Sequence, residues 1–120
     1  MPRPVARFPQ GSLAPLLERI ERELDQEWDL PRMAEVACCS LRTLSRRFRD
    51  ATGLAPLDWL IRARIRHACH LLEASSESID AIAARCGFGA PETFRLHFRR
   101  IMTVPPSRYR SEFQGSASSM

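Results

Sequence analysis

The chain contains no lysine: all 18 of its basic residues are arginine. It also has no apolar run of the ~18 residues that a membrane-spanning helix needs. Its first residues, Met-Pro-Arg-Pro-Val-Ala-Arg-Phe-Pro, carry no long apolar stretch of the kind found in a secretory signal. No glycine-rich phosphate loop is present, and no nucleophile stands with a matching base. The chain is therefore not expected to be an enzyme. The four cysteines, Cys38, Cys39, Cys69 and Cys86, form no Cys-x-x-Cys pair, and adjacent Cys38 and Cys39 point in different directions. No zinc site is expected. His67 and His70 share a helical face but have no further ligands nearby, so no metal or other cofactor is expected at all. Buried, reduced thiols in the cytoplasm are the reading for the cysteines; a redox sensor would need an exposed thiol of lowered pKa.

The net charge is +4 over 120 residues. Exclusive use of arginine fits a codon bias in a GC-rich genome. It equally fits a need for the planar fork that grips phosphate or the edge of guanine. The distribution of charge is more informative. From Ser40 to Arg110 there are 13 arginines against 6 acidic residues, whereas Leu13–Asp29 holds 2 against 6. Basic charge gathered in one part of a chain is the electrostatic footprint of a nucleic-acid binder.

Periodicity and capping signals predict helices throughout, and no alternating strand pattern occurs, so the class is all-α. Residues 1–11, with three prolines and a glycine, read as a linker or flexible arm. Ser12 is placed to cap a helix over Leu13–Glu27 whose apolar stripe is Leu13, Leu16, Leu17, Ile20 and Leu24. Asp29 caps a short helix with Pro31 in its first turn, burying Leu30, Met33, Ala34 and Ala37. A tight turn at Cys38–Cys39 leads to Ser40, which caps Leu41–Ala51; Gly53 ends that helix, and Leu41, Leu44 and Phe48 lie on one side. A long helix over Pro56–Glu73 turns Leu57, Leu60, Ile61, Ile65, Ala68 and Leu72 inward. Ser78 then caps Ile79–Cys86, Gly87 stops it, and Pro91 opens Pro91–Met102. Pro105–Pro106 opens a last short helix holding Tyr109 and Phe113.

The second part repeats the first. Leu30, Met33, Ala34 and Ala37, a turn, Thr43, Leu44 and Phe48, then Pro56 and Trp59 correspond to Ile79, Ile82, Ala83 and Cys86, a turn, Thr93, Phe94 and Phe98, then Pro106 and Tyr109. The offset is 49 before the turn and 50 after it. A repeated short helix, turn and longer helix is a repeated helix-turn-helix. Trp59 and Tyr109 occupy equivalent places and are expected to anchor the core rather than stack on bases.

The outward faces of the two second helices differ. Arg42, Arg46 and Arg49 fall at i, i+4 and i+7 on one face, flanked by Arg47. Like charges at that spacing repel unless an anion arrives. In the second unit Glu92, Arg95 and Arg99 share a face, flanked by Thr93, His97 and Arg100. A linking helix of about 18 residues spans about 27 Å, close to the ~34 Å between successive major grooves on one face of DNA. Both second helices of one chain are thus expected to reach adjacent grooves of an asymmetric target.

This arrangement resembles the AraC/XylS family of transcription regulators over about residues 13–113. The resemblance rests on Leu-Arg-Thr-Leu-Ser-Arg-Arg-Phe at 41–48 with Thr52, Gly53 and Pro56, and on Arg64, Ile65, Ala68, Leu71 and Leu72. Its most specific part is Ile-Ala-Ala-Arg-Cys-Gly-Phe at 82–88 with Phe94, Phe98, Arg99, Pro105, Pro106 and Tyr109. It implies seven helices in two homeodomain-like helix-turn-helix subdomains, at 12–54 and 75–113, joined by a linker helix at 55–74; the polar composition of 114–120 makes that end an expected disordered tail. It also implies sequence-specific binding to double-stranded promoter DNA. By position, Arg42, Ser45, Arg46, Glu92, Thr93 and Arg95 would read bases, and Leu96 also matches a contact position. Ser40, Arg47, Arg49, Arg99, Arg100 and Arg108 would hold phosphates. Pro91 and Leu96 stand where relatives often present polar side chains, so the second unit is expected to act mainly through the backbone. Glu92 has two readings: an acceptor for cytosine N4, or a charge suited to the helix N-terminal dipole. Relatives are usually longer, with a sensor domain ahead of this part. A monomeric fragment of an effector-responsive activator, with RNA polymerase as a further partner, is the expectation.

Overall fold

A computed structural model describes residues 12–118, and side chains through Gln114. The flexible arm expected at 1–11 lies outside the described residues. Seven helices and no strands are found among them: α1 Ala14–Arg22, α2 Leu30–Ala37, α3 Leu41–Thr52, α4 Pro56–Ala74, α5 Ile79–Arg85, α6 Pro91–Met102 and α7 Pro106–Ser118. None of these helices is long and apolar enough to cross a membrane. The chain divides into two compact units, residues 12–23 with Trp28–Trp59, and Leu24–Glu27 with residues 60–118. The long helix α4 is shared: its first turn belongs to the first unit and the rest to the second.

In the first unit, Leu16, Ile20, Met33, Leu44 and Phe48 are fully buried. Trp59, from the first turn of α4, packs on Phe48 with ring centroids 5.9 Å apart. Asp29 caps α2 by accepting from the Arg32 N–H at 2.8 Å, and Ser40 caps α3 by accepting from the Thr43 N–H at 3.1 Å. Two apolar residues expected inside are exposed instead: Leu41 at 50 % and Leu57 at 43 %. Each sits in the first turn of its helix, and in α4 the same turn buries Pro56 and Trp59 instead of Leu57.

The first helix is shorter than its apolar stripe predicts, ending at Arg22 rather than Glu27. Glu23 leaves helical geometry (φ −127°, ψ 41°), and its carbonyl accepts the Trp28 indole N–H at 2.9 Å. Carbonyls at a helix end need donors, and here they come from far along the chain. Leu24 O and Gln26 O accept from Arg64 Nε (3.1 Å) and Nη2 (2.8 Å), both inside the second unit. Burial lowers the Arg64 pKa from its ordinary value.

The second unit is built around Ile65, Ala68, Leu72, Ile82, Ala83, Cys86, Phe94 and Phe98. An aromatic chain runs through it: Phe88–Phe94 at 5.2 Å, Phe94–Phe98 at 5.6 Å and Phe98–Tyr109 at 5.6 Å. Fully burying one such ring is worth roughly 2–3 kcal/mol over leaving it exposed. The Tyr109 hydroxyl donates to Glu73. The Arg110 guanidinium donates to the carbonyls of Leu72, Ser75 and Glu77, fastening the loop between α4 and α5. Gln114 also donates to Leu72 O, at 3.3 Å. Where the polar composition predicts a disordered tail from 114, α7 continues to Ser118, and these anchors hold the turn from which it extends.

The internal repeat reappears in the backbone, with one extra residue in the second turn. Helices α3 and α6 are both 12 residues long and end on left-handed residues, Gly53 (φ 76°) and Thr103 (φ 69°). The turns between paired helices close alike. Cys38 N–H and Cys39 N–H donate to Glu35 O and Ala34 O, as Gly87 N–H and Phe88 N–H donate to Ala84 O and Ala83 O. Both pairs form the double closure of a Schellman turn. Gly87 (φ 91°) supplies the left-handed residue in one turn, and Cys38 (φ 54°) in the other. Cys38 is exposed, and Cys39 and Cys69 are half-buried. Only Cys86 fits the expectation of buried thiols, and burial pushes it up to about 12. A side chain in the left-handed region costs about 1–2 kcal/mol, partly offset by the greater backbone entropy that glycine loses. Cys38→Gly is therefore expected to raise stability by about 0.5–1 kcal/mol in urea unfolding. Destabilisation would show that the Cys38 side chain has a packing role.

Candidate nucleic-acid interface

Packing decides which side of α3 is presented. Leu44 and Phe48 turn inward and are fully buried, so the residues a half-turn away face solvent. Arg42, Arg46 and Arg49 are exposed there, and Ser45 and Arg47 are half-buried beside them. Arg42, Arg46, Arg47 and Arg49 form no ion pair with any described residue. The face therefore carries uncompensated positive charge along its whole length. Ser40, at the start of α3, is exposed, and its hydroxyl already donates to Thr43 Oγ1 at 3.0 Å while accepting the capping N–H. Arg47 borders a shallow cleft with Ser12, Leu13, Asp50 and Ala51.

The corresponding face of α6 is chemically different. Phe94 and Phe98 turn inward, leaving Glu92, Thr93, Arg95, Leu96, Arg99 and Arg100 exposed. Arg95 Nη2 lies 2.9 Å from Asp80 Oδ1 of α5. Arg100 Nη2 lies 3.1 Å from His97 Nδ1, and burial, then the Arg100 charge, lowers the His97 pKa. On α7, Arg108 Nε donates to Glu112 Oε1 at 2.9 Å. Of the arginines expected to reach DNA from this unit, only Arg99 forms neither an ion pair nor a side-chain hydrogen bond with a described residue. Leu96 is 68 % exposed, the largest exposure among the big apolar residues here.

The helix geometry thus brings Arg42, Ser45, Arg46 and Arg49 to one surface, and Glu92, Thr93, Arg95 and Arg99 to another, each within its own unit. Asp80 was not foreseen. Its counterpart at an offset of 49 in the first unit is Pro31, so the repeat gives no hint of it. At the start of α3 the Thr43 N–H is already taken by the Ser40 cap, and at the start of α6 Pro91 has no N–H to offer. Among the described residues, no group of three or more His, Cys, Asp or Glu is arranged to hold a metal.

A family model described as a helix-turn-helix domain matches residues 33–112. The transcriptional activator RhaS of Klebsiella pneumoniae (strain 342) is 43 % identical over 91 residues, covering 76 % of this chain and 33 % of the relative. RhaS of Enterobacter sp. (strain 638) is 39 % identical over 95 residues, covering 79 % and 34 %. The chain spans about a third of the length of these curated relatives. The DNA-binding domain of AdpA, a global transcriptional factor solved in complex with a target DNA, superposes with a TM-score of 0.84 at 41 % identity, covering 87 % of this chain and 94 % of that one. A transcriptional regulator of Chromobacterium violaceum with an AraC-type DNA-binding domain gives a TM-score of 0.78 at 25 % identity, covering 84 % and 90 %.

Proposed function

Because the chain belongs to the AraC-type helix-turn-helix family, we propose that it binds double-stranded promoter DNA at a specific sequence, as the DNA-contacting part of a transcription activator. The observation that carries this reading is the exposed Arg42–Arg46–Arg49 face, which has no ion-pair partner among the described residues. Such a face stays hydrated and mutually repelling until a polyanion neutralises it. The AdpA domain in complex with a target DNA supports the same use of the fold. The role is binding and not catalysis.

Arg42, Ser45 and Arg46 read base edges from α3, with Arg42 and Arg46 placed for bidentate contact to guanine O6 and N7. Glu92, Thr93 and Arg95 read from α6, where the compensated charge makes the unit the weaker contributor to affinity. Ser40, Arg47, Arg49, Arg99, Arg100 and Arg108 hold phosphates, which fix register without reading sequence. Arg100 and Arg108 each use one N–H, on His97 and Glu112, and keep four donors for a phosphate. The DNA-binding subdomains are 12–54 and 75–113, joined by the helix at 55–74, most of which packs within the second compact unit. The protein works in the cytoplasm, contacts RNA polymerase, and this chain is monomeric.

Five phosphate-contacting arginines give a slope of about −4.5 for log affinity against log salt. Affinity for duplex DNA should then fall about 500-fold between 50 and 200 mM salt, measured by fluorescence anisotropy. A nearly flat response would contradict the electrostatic part of the proposal.

A further inference from the structure

We propose that Asp80 is a positioning residue for base reading by the second unit: from α5 it holds the Arg95 guanidinium of α6 in the pose in which it meets a base edge. This rests on the reading of Arg95 as a base-contacting residue. Asp80 lies in the first turn of α5, set by the Ser78 cap, whose hydroxyl oxygen accepts the Ala81 N–H at 3.1 Å. Its Oδ1 accepts from Arg95 Nη2 at 2.9 Å, and that is its one side-chain contact among the described residues. Among the α6 arginines, Arg95 alone is tied to another helix, for Arg100 meets His97 of its own helix and Arg99 meets no acid.

The contact leaves the guanidinium competent. Arginine has five N–H donors in a rigid fork, and one is used, so four remain; a bidentate contact to guanine takes two. The long arginine side chain otherwise loses much rotamer freedom on binding. A tether made beforehand by a scaffold helix removes part of that loss and fixes the direction of the fork. Both side chains are solvent-exposed, 64 % for Asp80 and 49 % for Arg95. A pair so exposed does little for folding, and Asp80 buries nothing. The first unit shows no such device: Pro31 stands at the position equivalent to Asp80, and the α3 arginines form no ion pair with a described residue. The sequence chosen by the second unit therefore depends on a residue of the helix that does not itself read bases.

The test measures affinities of the whole chain, and of Asp80→Ala, Asp80→Asn and Arg95→Ala, for its selected duplex and for a panel substituted at each base pair. Thermal unfolding is measured in parallel. Arg95→Ala should abolish discrimination at one base pair. Asp80→Ala should weaken discrimination at that same pair about tenfold, while affinity for non-specific DNA is unchanged or rises because a negative charge is gone. Asp80→Asn, which keeps an acceptor oxygen, should restore most of the discrimination, and all variants should unfold at the wild-type temperature. If Arg95→Ala abolishes discrimination but Asp80→Ala leaves it intact or sharpens it, the positioning role is wrong and Arg95 reads alone. If Arg95→Ala changes preference nowhere, the base-reading role of Arg95 is wrong and the positioning role falls with it.

Discussion

Gly87→Ala should destabilise the second unit by about 2–5 kcal/mol, the largest effect expected among Gly53, Gly87 and Gly89. Two costs combine. Gly87 has φ +91°, where a side chain is strained by about 1–2 kcal/mol. A Cβ there would also lie 2.1 Å from Leu24 O and 2.7 Å from Arg64 Nε. The first of these atoms is backbone, and the second is the donor that satisfies it at 3.1 Å. Relief of the clash must break the hydrogen bond from Arg64 Nε to Leu24 O, leaving Arg64 with Gln26 O as its remaining acceptor. Overpacking of this kind costs about 1–3 kcal/mol on its own. Two other glycines serve as controls. Gly53 is also left-handed (φ +76°) but faces open space, so Gly53→Ala should cost only about 1 kcal/mol. Gly89 has neither a positive φ nor a neighbour within 4 Å, so Gly89→Ala should be close to neutral. Urea unfolding followed by far-ultraviolet circular dichroism ranks the three. Equal midpoints for the Gly87 and Gly89 variants would show that the close approach is not there.

Arg46→Ala should remove guanine discrimination at one position of the target, a loss of about 1–3 kcal/mol or roughly 5–150-fold, with little change in fold stability. Arg46 is exposed, lies opposite buried Leu44 and Phe48, and forms no ion pair with a described residue. Truncating it uncovers no core, and surface changes of this sort stay within about 0.5 kcal/mol of wild type in stability. Arg49→Ala is the contrast, because a phosphate contact weakens all sequences alike. Competition binding with a base-substituted panel separates the two patterns. Uniform weakening by Arg46→Ala would reassign that residue to the backbone.

Much of this was legible in the sequence because it is local. The caps at Asp29, Ser40 and Ser78 lie three residues before the N–H groups they satisfy, and the 3.6-residue period that buries Leu44 and Phe48 also exposes Arg42, Arg46 and Arg49. The repeat offsets of 49 and 50 reappear in the backbone, down to the left-handed residues at Cys38 and Gly87 and at Gly53 and Thr103. What was not legible depends on partners remote in the chain. The early end of α1 comes from the Trp28 indole and from Arg64, 40 residues beyond Leu24. Leu41 and Leu57 fit the apolar period, but both stand in the first turns of their helices, where the period does not tell which side the core covers. The state of each arginine also escaped periodicity: Arg42 and Arg95 look alike along the chain, yet one is free of ion pairs and the other is held by Asp80 on a different helix.

Selection of binding sites from random duplex DNA, run in parallel with wild type and Arg46→Ala, tests most directly whether this chain selects a duplex sequence through its arginine face. The predicted result is a non-palindromic motif containing a guanine position that wild type enriches and Arg46→Ala does not. Absence of enrichment by wild type at low salt would contradict the claim and leave the fold as a platform for protein partners.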